Sequence, residues 1–442
     1  MDDTQTLKDR ACAAIDAYRD DIVSLAKSIQ AEPELGYKEV ETTRKVVEVF
    51  ESLDLDVETE LAITGARARI GSGEPVVAVL GELDALVNSE HPKADPETGA
   101  VHACGHHAQI ANMIGTTYAF ATTGILDELD GRVDPIAVPA EEYLDLGYRR
   151  GLLETGEIEF FGGKQELIRR GHFDDVDMAL MIHAADDTPE REITSAFSTN
   201  GFVGKFVTYT GKESHAGAAP SEGRNALNAA VMGMNGIHAA RERFRDEDHV
   251  RVHPIMTKGG DGVNVVPSEV TMESYTRAKT VEAIESANDD VNAALEAGAM
   301  AVGARADIED YPGYLPLSSN DTLVEAYDDN VVDIVGEDVL HDEHPHIAGS
   351  TDMGDVTQLV PGIHPWVGGF EGNVHSREFR VADEEMAYVI PAKLTACTII
   401  DVLADEERIE AIRAAKAEKQ SRADYLETVR RLRNEIVGDY LD

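Results

Sequence analysis

Cysteine is scarce in this 442-residue chain: Cys12, Cys104 and Cys397 are odd in number and too widely spaced for a disulfide framework. That usage suits a reducing compartment. Lysine is scarce too, at 13 of the 39 basic residues, and 84 Asp and Glu bring the formal net charge to -45. Such a surface is a poor partner for nucleic acid or an anionic membrane. Self-repulsion on this scale strains a compact state in dilute buffer, so the expected setting is a salt-adapted cytoplasm that screens it. No run of 18 apolar residues appears, and the start "MDDTQTLKDR" lacks a basic segment followed by an apolar one. Neither a membrane span nor a secretory signal is expected. What is present is 43% apolar content with periodicity along most of the chain, which excludes a disordered acidic polymer.

The length predicts two domains. Residues 5–54 read as two amphipathic helices, with Ile15, Tyr18, Ile22, Leu25 and Ile29 on one stripe, separated by the Pro- and Gly-containing loop "AEPELGYKE". Short apolar runs then alternate with helical segments, the pattern of buried strands in a largely parallel α/β sheet. "PVVAVLGELDAL" ends on Glu82 and Asp84, "RVDPIAVPAEEY" on Glu141 and Glu142, and "DVDMALMIHA" on His183. Ligands of such sheets gather outside the carboxyl ends of the strands.

From about residue 193 the pattern becomes β-α-β-β-α-β, that of a small α+β, ferredoxin-like insert with helices on one face of an antiparallel sheet. The expected division is 1–192 with 313–442 for the main domain and 193–312 for the insert. The charged tail from about 402 reads as helical, either packed as a terminal helix or used in assembly.

"VHACGHHAQIA" puts one Cys and three His into eleven residues. Thiolate, imidazole and carboxylate are ligands that a zinc-like ion selects, and Cys104 and His106 stand at i and i+2 around Gly105. Alone, the motif is equally a buried Cys beside a surface His. In "PAEE", two adjacent carboxylates can divide labour, one holding metal and the other accepting a proton, or can be a solvated pair. His183 at a strand end and His375 in the loop "GNVHSREF" complete a set suited to a one- or two-metal hydrolytic centre.

The ordered motifs "EPELGYKEVETT", "GELDAL", "HACGHH", "PAEE", "MIHA", "SHAGAAPSEGRNALNA", "GGDGVNVVPSEVTMESYTRA", "GSTDMGDVTQLVPGIHPW" and "VHSREF" span residues 32–379. Together they resemble the M20 metallopeptidase family, in its Cys-containing amidohydrolase and aminoacylase branch near aminobenzoyl-glutamate hydrolases and β-alanyl dipeptidases. The resemblance implies a zinc-peptidase-like catalytic domain with an inserted lid that usually forms a homodimer, and one or two divalent ions (Zn, Mn or Co). It implies Cys104, His106, Glu142, His183 and His375 as metal ligands and Glu141 as general base. By the same resemblance His215 stabilises the oxyanion, and Asn264 and Arg277 bind the carboxylate end of a small amide or peptide substrate.

One departure stands out. The residue after "CGH", commonly Asp or Asn in relatives, is His107 here, and it is expected not to be a ligand. His341, His344 and His346 read as a pocket rim or a solvated loop. The implied activity is hydrolysis of N-acyl amino acids or dipeptide-like amides, with a dipeptidase as the near alternative. A non-catalytic metal-binding protein and a scaffold on a hydrolase fold are the rivals from other classes.

Overall fold

The computed structural model describes residues 3–188, 190–341 and 344–441. Its contacts divide the chain into two compact units: Met1–Ser198, Ser318–Pro345 and Asp355–Arg422 form the first, and Thr199–Leu317, His346–Gly354 and Ala423–Asp442 the second.

The first unit is built on a six-stranded sheet in the spatial order Asp56–Leu61, Gly65–Gly71, Arg132–Val138, Val76–Glu82, Met178–Leu180, Gly362–Ile363. The first two joins are antiparallel and the remaining three parallel. "VVAVLGE" is buried at every position, as expected of a central parallel strand covered on both faces. The His106–Ala121 helix packs on it and is buried from His106 to Phe120, so it shows no polar face. Against that helix lies Ile390–Leu403. The segment Glu385–Leu403 is long and apolar enough by composition to cross a membrane, yet it is buried in this core.

Two local expectations change. The amphipathic region before residue 54 forms three helices, Thr4–Ala17, Arg19–Ala31 and Val40–Ser52. Tyr18 leaves helical geometry at ψ 11°, and Asp20 and Asp21 then sit in the first turn of a new helix, where its dipole favours negative charge. The tail is not wholly helical. After Glu406–Ala417 and Arg422–Arg431, the residues Asn434–Asp439 form a strand that pairs antiparallel with Arg305–Pro312. Residues 313–317, 346–354 and 423–441 thus fall in the second unit, where the expected division put them in the main domain, and 193–198 fall in the first, where it put them in the insert.

The second unit has the expected β-α-β-β-α-β order: Gly201–Thr210, Ala226–Ala240, Arg251–Lys258, Glu269–Ala278, Val281–Val302 and Arg305–Pro312. Its sheet runs Arg251–Lys258, Glu269–Ala278, Gly201–Thr210, Arg305–Pro312, Asn434–Asp439, all antiparallel. Burial alternates along Glu269–Ala278, so one face of the strand is covered. The two long helices pack against each other closely enough that a Cβ on Gly298 would stand 2.4 Å from the Ala229 carbonyl.

Candidate metal centre

Four neighbouring parallel strands of the first unit deliver chemistry at their carboxyl ends. Val76–Glu82 ends on Glu82 and leads to Asp84; Arg132–Val138 leads to Glu141 and Glu142; Met178–Leu180 leads to His183; Gly362–Ile363 leads to His364. Cys104 and His106 arrive from the start of the His106–Ala121 helix. Gly105 is left-handed there (φ 87°), and a Cβ on it would press to 2.6 Å from Ala184.

Cys104 Sγ lies 3.4 Å from His183 Nε2 and 3.3 Å from His375 Nε2, and His375 Nε2 lies 3.3 Å from Glu142 Oε1. Two groups of three ligand atoms result, Cys104/His106/His183 and Cys104/Glu142/His375, each within 4.8 Å, and they share one sulfur. A third, Glu82/His106/Glu141, overlaps the first at His106. All five residues that the motifs marked as ligands are thus brought together.

The donor set fits a soft to borderline divalent metal. His106 Nδ1 donates to the Asp84 carbonyl at 2.8 Å, which turns Nε2 toward the cluster and fixes the tautomer a ligand needs. His183 does the same through the Ala184 carbonyl, also at 2.8 Å. His106 Nε2 lies 3.0 Å from Glu82 Oε2 and Glu142 Oε1 3.3 Å from His375 Nε2, so both buried ligand atoms face other candidate ligand atoms of the cluster, as atoms placed around a cation do.

Burial pushes the Cys104 thiol up, and Glu142 adds to this, but His183, His106 and His375 outweigh both and hold it at about 6. Burial likewise opposes the Glu142 carboxylate, and His375 chiefly brings it down to about 2. Burial disfavours the His375 imidazolium, while Cys104 and Glu142 raise it to about 12. The thiol and carboxylate are therefore poised as anions, and the neighbouring imidazoles act as stand-in cations. A metal ion would displace those protons.

Several residues around the cluster carry roles that the motifs do not show. Both Asp84 oxygens accept main-chain N–H groups, from Glu141 at 3.1 Å and Glu142 at 2.9 Å. Glu82 is held by Lys164 Nζ at Oε1 and by Gln109 Nε2 at Oε2 (2.8 Å), all three fully buried. His364 packs edge-on against His183 with ring centroids 5.4 Å apart. The sequence marks Glu82 and Asp84 only as strand-end acids. Lys164 and Gln109 have no local signal, since their partner is distant in the chain.

His107 points away from the cluster. It is fully buried, with Nε2 3.2 Å from Gln30 Nε2 and its ring edge-on to Tyr388 at 5.7 Å, and burial pushes its imidazole down to about 3. It is a neutral core residue, as is His102.

His215, Asn264 and Arg277 lie in the second unit. His215 is exposed, its Nδ1 accepting the N–H groups of Gly217 and Ala218 at 3.1 and 3.0 Å, and it bridges to Val265 beside the exposed Asn264. Arg277 donates to Ser350 Oγ at 2.7 Å and lies over the Phe202 ring at 4.9 Å. The histidines of "HDEHPHIAGST" divide: His341 bonds Glu192 at 2.9 Å, and His346 bonds Asn200 at 3.0 Å and packs on His249. His344 is exposed.

An α/β sheet carrying a thiolate, imidazole and carboxylate cluster at its carboxyl edge defines a metal-dependent hydrolase class. The family model for peptidase family M20/M25/M40 matches residues 78–396, and the chain belongs to that family. It is 29% identical to an Xaa-Arg dipeptidase of Homo sapiens over 444 residues, covering 92% of each chain. It is 26% identical to an N-acetylcysteine deacetylase of Bacillus subtilis, covering 80% of this chain and 89% of that one. Among solved structures, a dinuclear metal-binding M20 peptidase from Bacillus subtilis superposes with a TM-score of 0.67 at 22% identity, over 88% of this chain and 99% of that one.

Proposed function

We propose that this M20 hydrolase cleaves amide bonds in N-acyl amino acids or small dipeptide-like substrates that carry a carboxylate. The observation that carries the reading is the "PAEE" turn, where Glu142 enters the ligand group with Cys104 and His375 while Glu141 lies beside it, outside both groups that share the sulfur. Similarity to an Xaa-Arg dipeptidase along 92% of both chains favours dipeptides as the first substrates to assay.

One or two divalent ions (Zn, Mn or Co), held by Cys104, His106, Glu142, His183 and His375, would polarise the scissile carbonyl and make water acidic enough to attack near neutral pH. Glu141 then accepts the proton of the attacking water and returns it to the leaving amine. In this reading His215 stabilises the oxyanion, a donor of a kind typically worth roughly 2.7 to 4 kcal/mol. Asn264 and Arg277 hold the substrate carboxylate, for which the guanidinium fork is suited.

The second unit is proposed as a lid and as the surface of a homodimer. Exposed Val231, Met232, Ile255 and Met300 on that unit support the second role, since apolar side chains and an unpaired sheet edge invite a partner. The proposed setting is a salt-rich cytoplasm, on the charge of -45.

The test is a panel of dipeptides and N-acyl amino acids at molar salt with Zn, Mn or Co, with metal analysis on the same sample. Glu141→Gln should keep its metal and lose about 10²- to 10⁴-fold in turnover. Unchanged turnover would remove Glu141 from the base role, and a purified protein that binds no added metal would favour the scaffold reading.

A further inference from the structure

After Glu142 the chain leaves the sheet as residues 143–162 and returns to its starting point, where the N–H of Gly163 donates to the Ala140 carbonyl at 3.1 Å. Within this excursion lies the Leu146–Thr155 helix, and its Arg149 turns inward until only 1% of the residue is exposed. Arg149 Nη1 donates to the Phe161 carbonyl at 2.7 Å and reaches the Ala140 carbonyl at 3.5 Å, while Nη2 donates to the carbonyl of Glu142. The guanidinium carbon lies 5.4 Å from the centre of the Tyr37 ring. Burying a guanidinium is costly, and here its hydrogen bonds go to main-chain carbonyls.

Two of those carbonyls belong to the turn that carries Glu141 and Glu142. Ala140 sits in the left-handed region at φ 53°, a conformation that an alanine keeps only where its surroundings impose it. From one side, carboxylates take the turn's donors: the N–H of Ala140 goes to Glu39 at 2.8 Å, and those of Glu141 and Glu142 go to Asp84. From the other, Arg149 takes the carbonyls of Ala140 and Glu142. Space for it is left by Gly36, where an added Cβ would stand 2.3 Å from Arg149 Nη2 and 3.0 Å from Ala140 Cα. The guanidinium is pinned by its carbonyls and cannot easily yield to such a Cβ.

We infer that Arg149 is a positioning residue of the "PAEE" turn, aiming Glu141 and Glu142 through their main chain, and that Gly36 is the gap that admits it. The inference rests on the proposed roles of Glu141 as base and Glu142 as ligand. Outer partners of this kind typically change metal affinity or activity by about 10- to 100-fold when removed.

Arg149→Met, Arg149→Lys and Gly36→Ala test it, each compared with the unsubstituted protein at the same salt. At saturating metal, both Arg149 variants should lose about 10- to 100-fold in kcat with KM within about twofold. The zinc dissociation constant, from competition with a chromophoric chelator, should rise about tenfold. Gly36→Ala, which crowds the guanidinium without removing it, should show the same split in smaller measure. Lysine keeps the charge but not the fork, so a merely structural need for a buried cation would be met by Arg149→Lys.

Near-ultraviolet circular dichroism reports whether each variant is folded, and if Arg149→Met is not, the other two carry the test. Folded Arg149→Lys with unchanged kcat and unchanged zinc affinity overturns the inference. So does a rise in KM at unchanged kcat, which would place Arg149 in substrate binding. Should Glu141→Gln leave turnover intact, the base assignment fails separately, and the zinc affinity of the Arg149 variants still decides whether Arg149 positions Glu142.

Discussion

Asp84 holds the main chain of Glu142: its Oδ2 accepts the Glu142 N–H at 2.9 Å, while its own carbonyl accepts Nδ1–H of His106 at 2.8 Å. One residue thus orients two ligands on different elements. Asp84→Asn puts an amide N–H₂ against one of two main-chain donors. Both metal affinity and kcat are expected to fall about 10- to 100-fold, measured by chelator competition and by steady-state assay. Wild-type values for both would show that the turn holds its shape without the carboxylate.

Lys164 and Glu82 form an ion pair whose side chains are 0% and 1% exposed. Burial works against the Glu82 carboxylate, yet Lys164 and then His106 hold it well below its usual range. Lys164→Met strands that charge and is expected to cost about 3 to 5 kcal/mol. Denaturant unfolding at fixed salt measures this. Adding Glu82→Gln should restore part of the loss, because the uncompensated charge is then gone.

Cys104, held at about 6, is mostly thiolate at neutral pH in metal-free protein. Iodoacetamide labelling of Cys104, followed by peptide mapping, should rise with a midpoint near pH 6 and be suppressed by added zinc. Cys104→Ser should retain less metal through dialysis. Labelling that first rises near pH 9, or full metal retention by the serine variant, would count against thiolate ligation.

Glu39 is fully buried, and burial, together with the charge of Asp84, raises its carboxyl from 4.5 to about 7. It takes hydrogen bonds from Thr64 Oγ1 at 2.6 Å and from the Ala140 N–H. Because the folded pKa is the higher one, the native state binds more protons than the unfolded chain between about pH 4.5 and 7. Stability from this group therefore falls as pH rises through that window, by at most about 3.4 kcal/mol, and is level above it. Glu39→Gln should remove that slope. Urea midpoints from pH 5 to 8 at constant salt test this, and parallel curves for the two proteins would contradict it.

The metal cluster was legible because its residue types are chemically restrictive. Cys104, His106, Glu142, His183 and His375 stand in short motifs at strand ends and loops, and the parallel sheet gathers those ends at one edge. The β-α-β-β-α-β order of the second unit was legible for a similar reason, since each element carries its own period of apolar residues.

Other features were not. Tyr18 interrupts a stripe that runs on without a break in sequence, because a helix boundary depends on one residue's backbone angles. The Asn434–Asp439 strand lies in a charged run that reads as helical, since its short "EIV" segment gains strand character only from its partner Arg305–Pro312.

The sequence by itself determined the class of chemistry: a thiolate, imidazoles and paired carboxylates select a divalent metal and a hydrolytic reaction, whatever the surrounding fold. Only the tertiary structure decided which histidines face the cluster. His106 turns Nε2 into the cluster, 3.0 Å from Glu82 Oε2, because the Asp84 carbonyl claims Nδ1, while its neighbour His107 is carried by the helix into the core against Tyr388. Adjacent residues on a helix point about 100° apart, so one imidazole could reach the metal and the next could not.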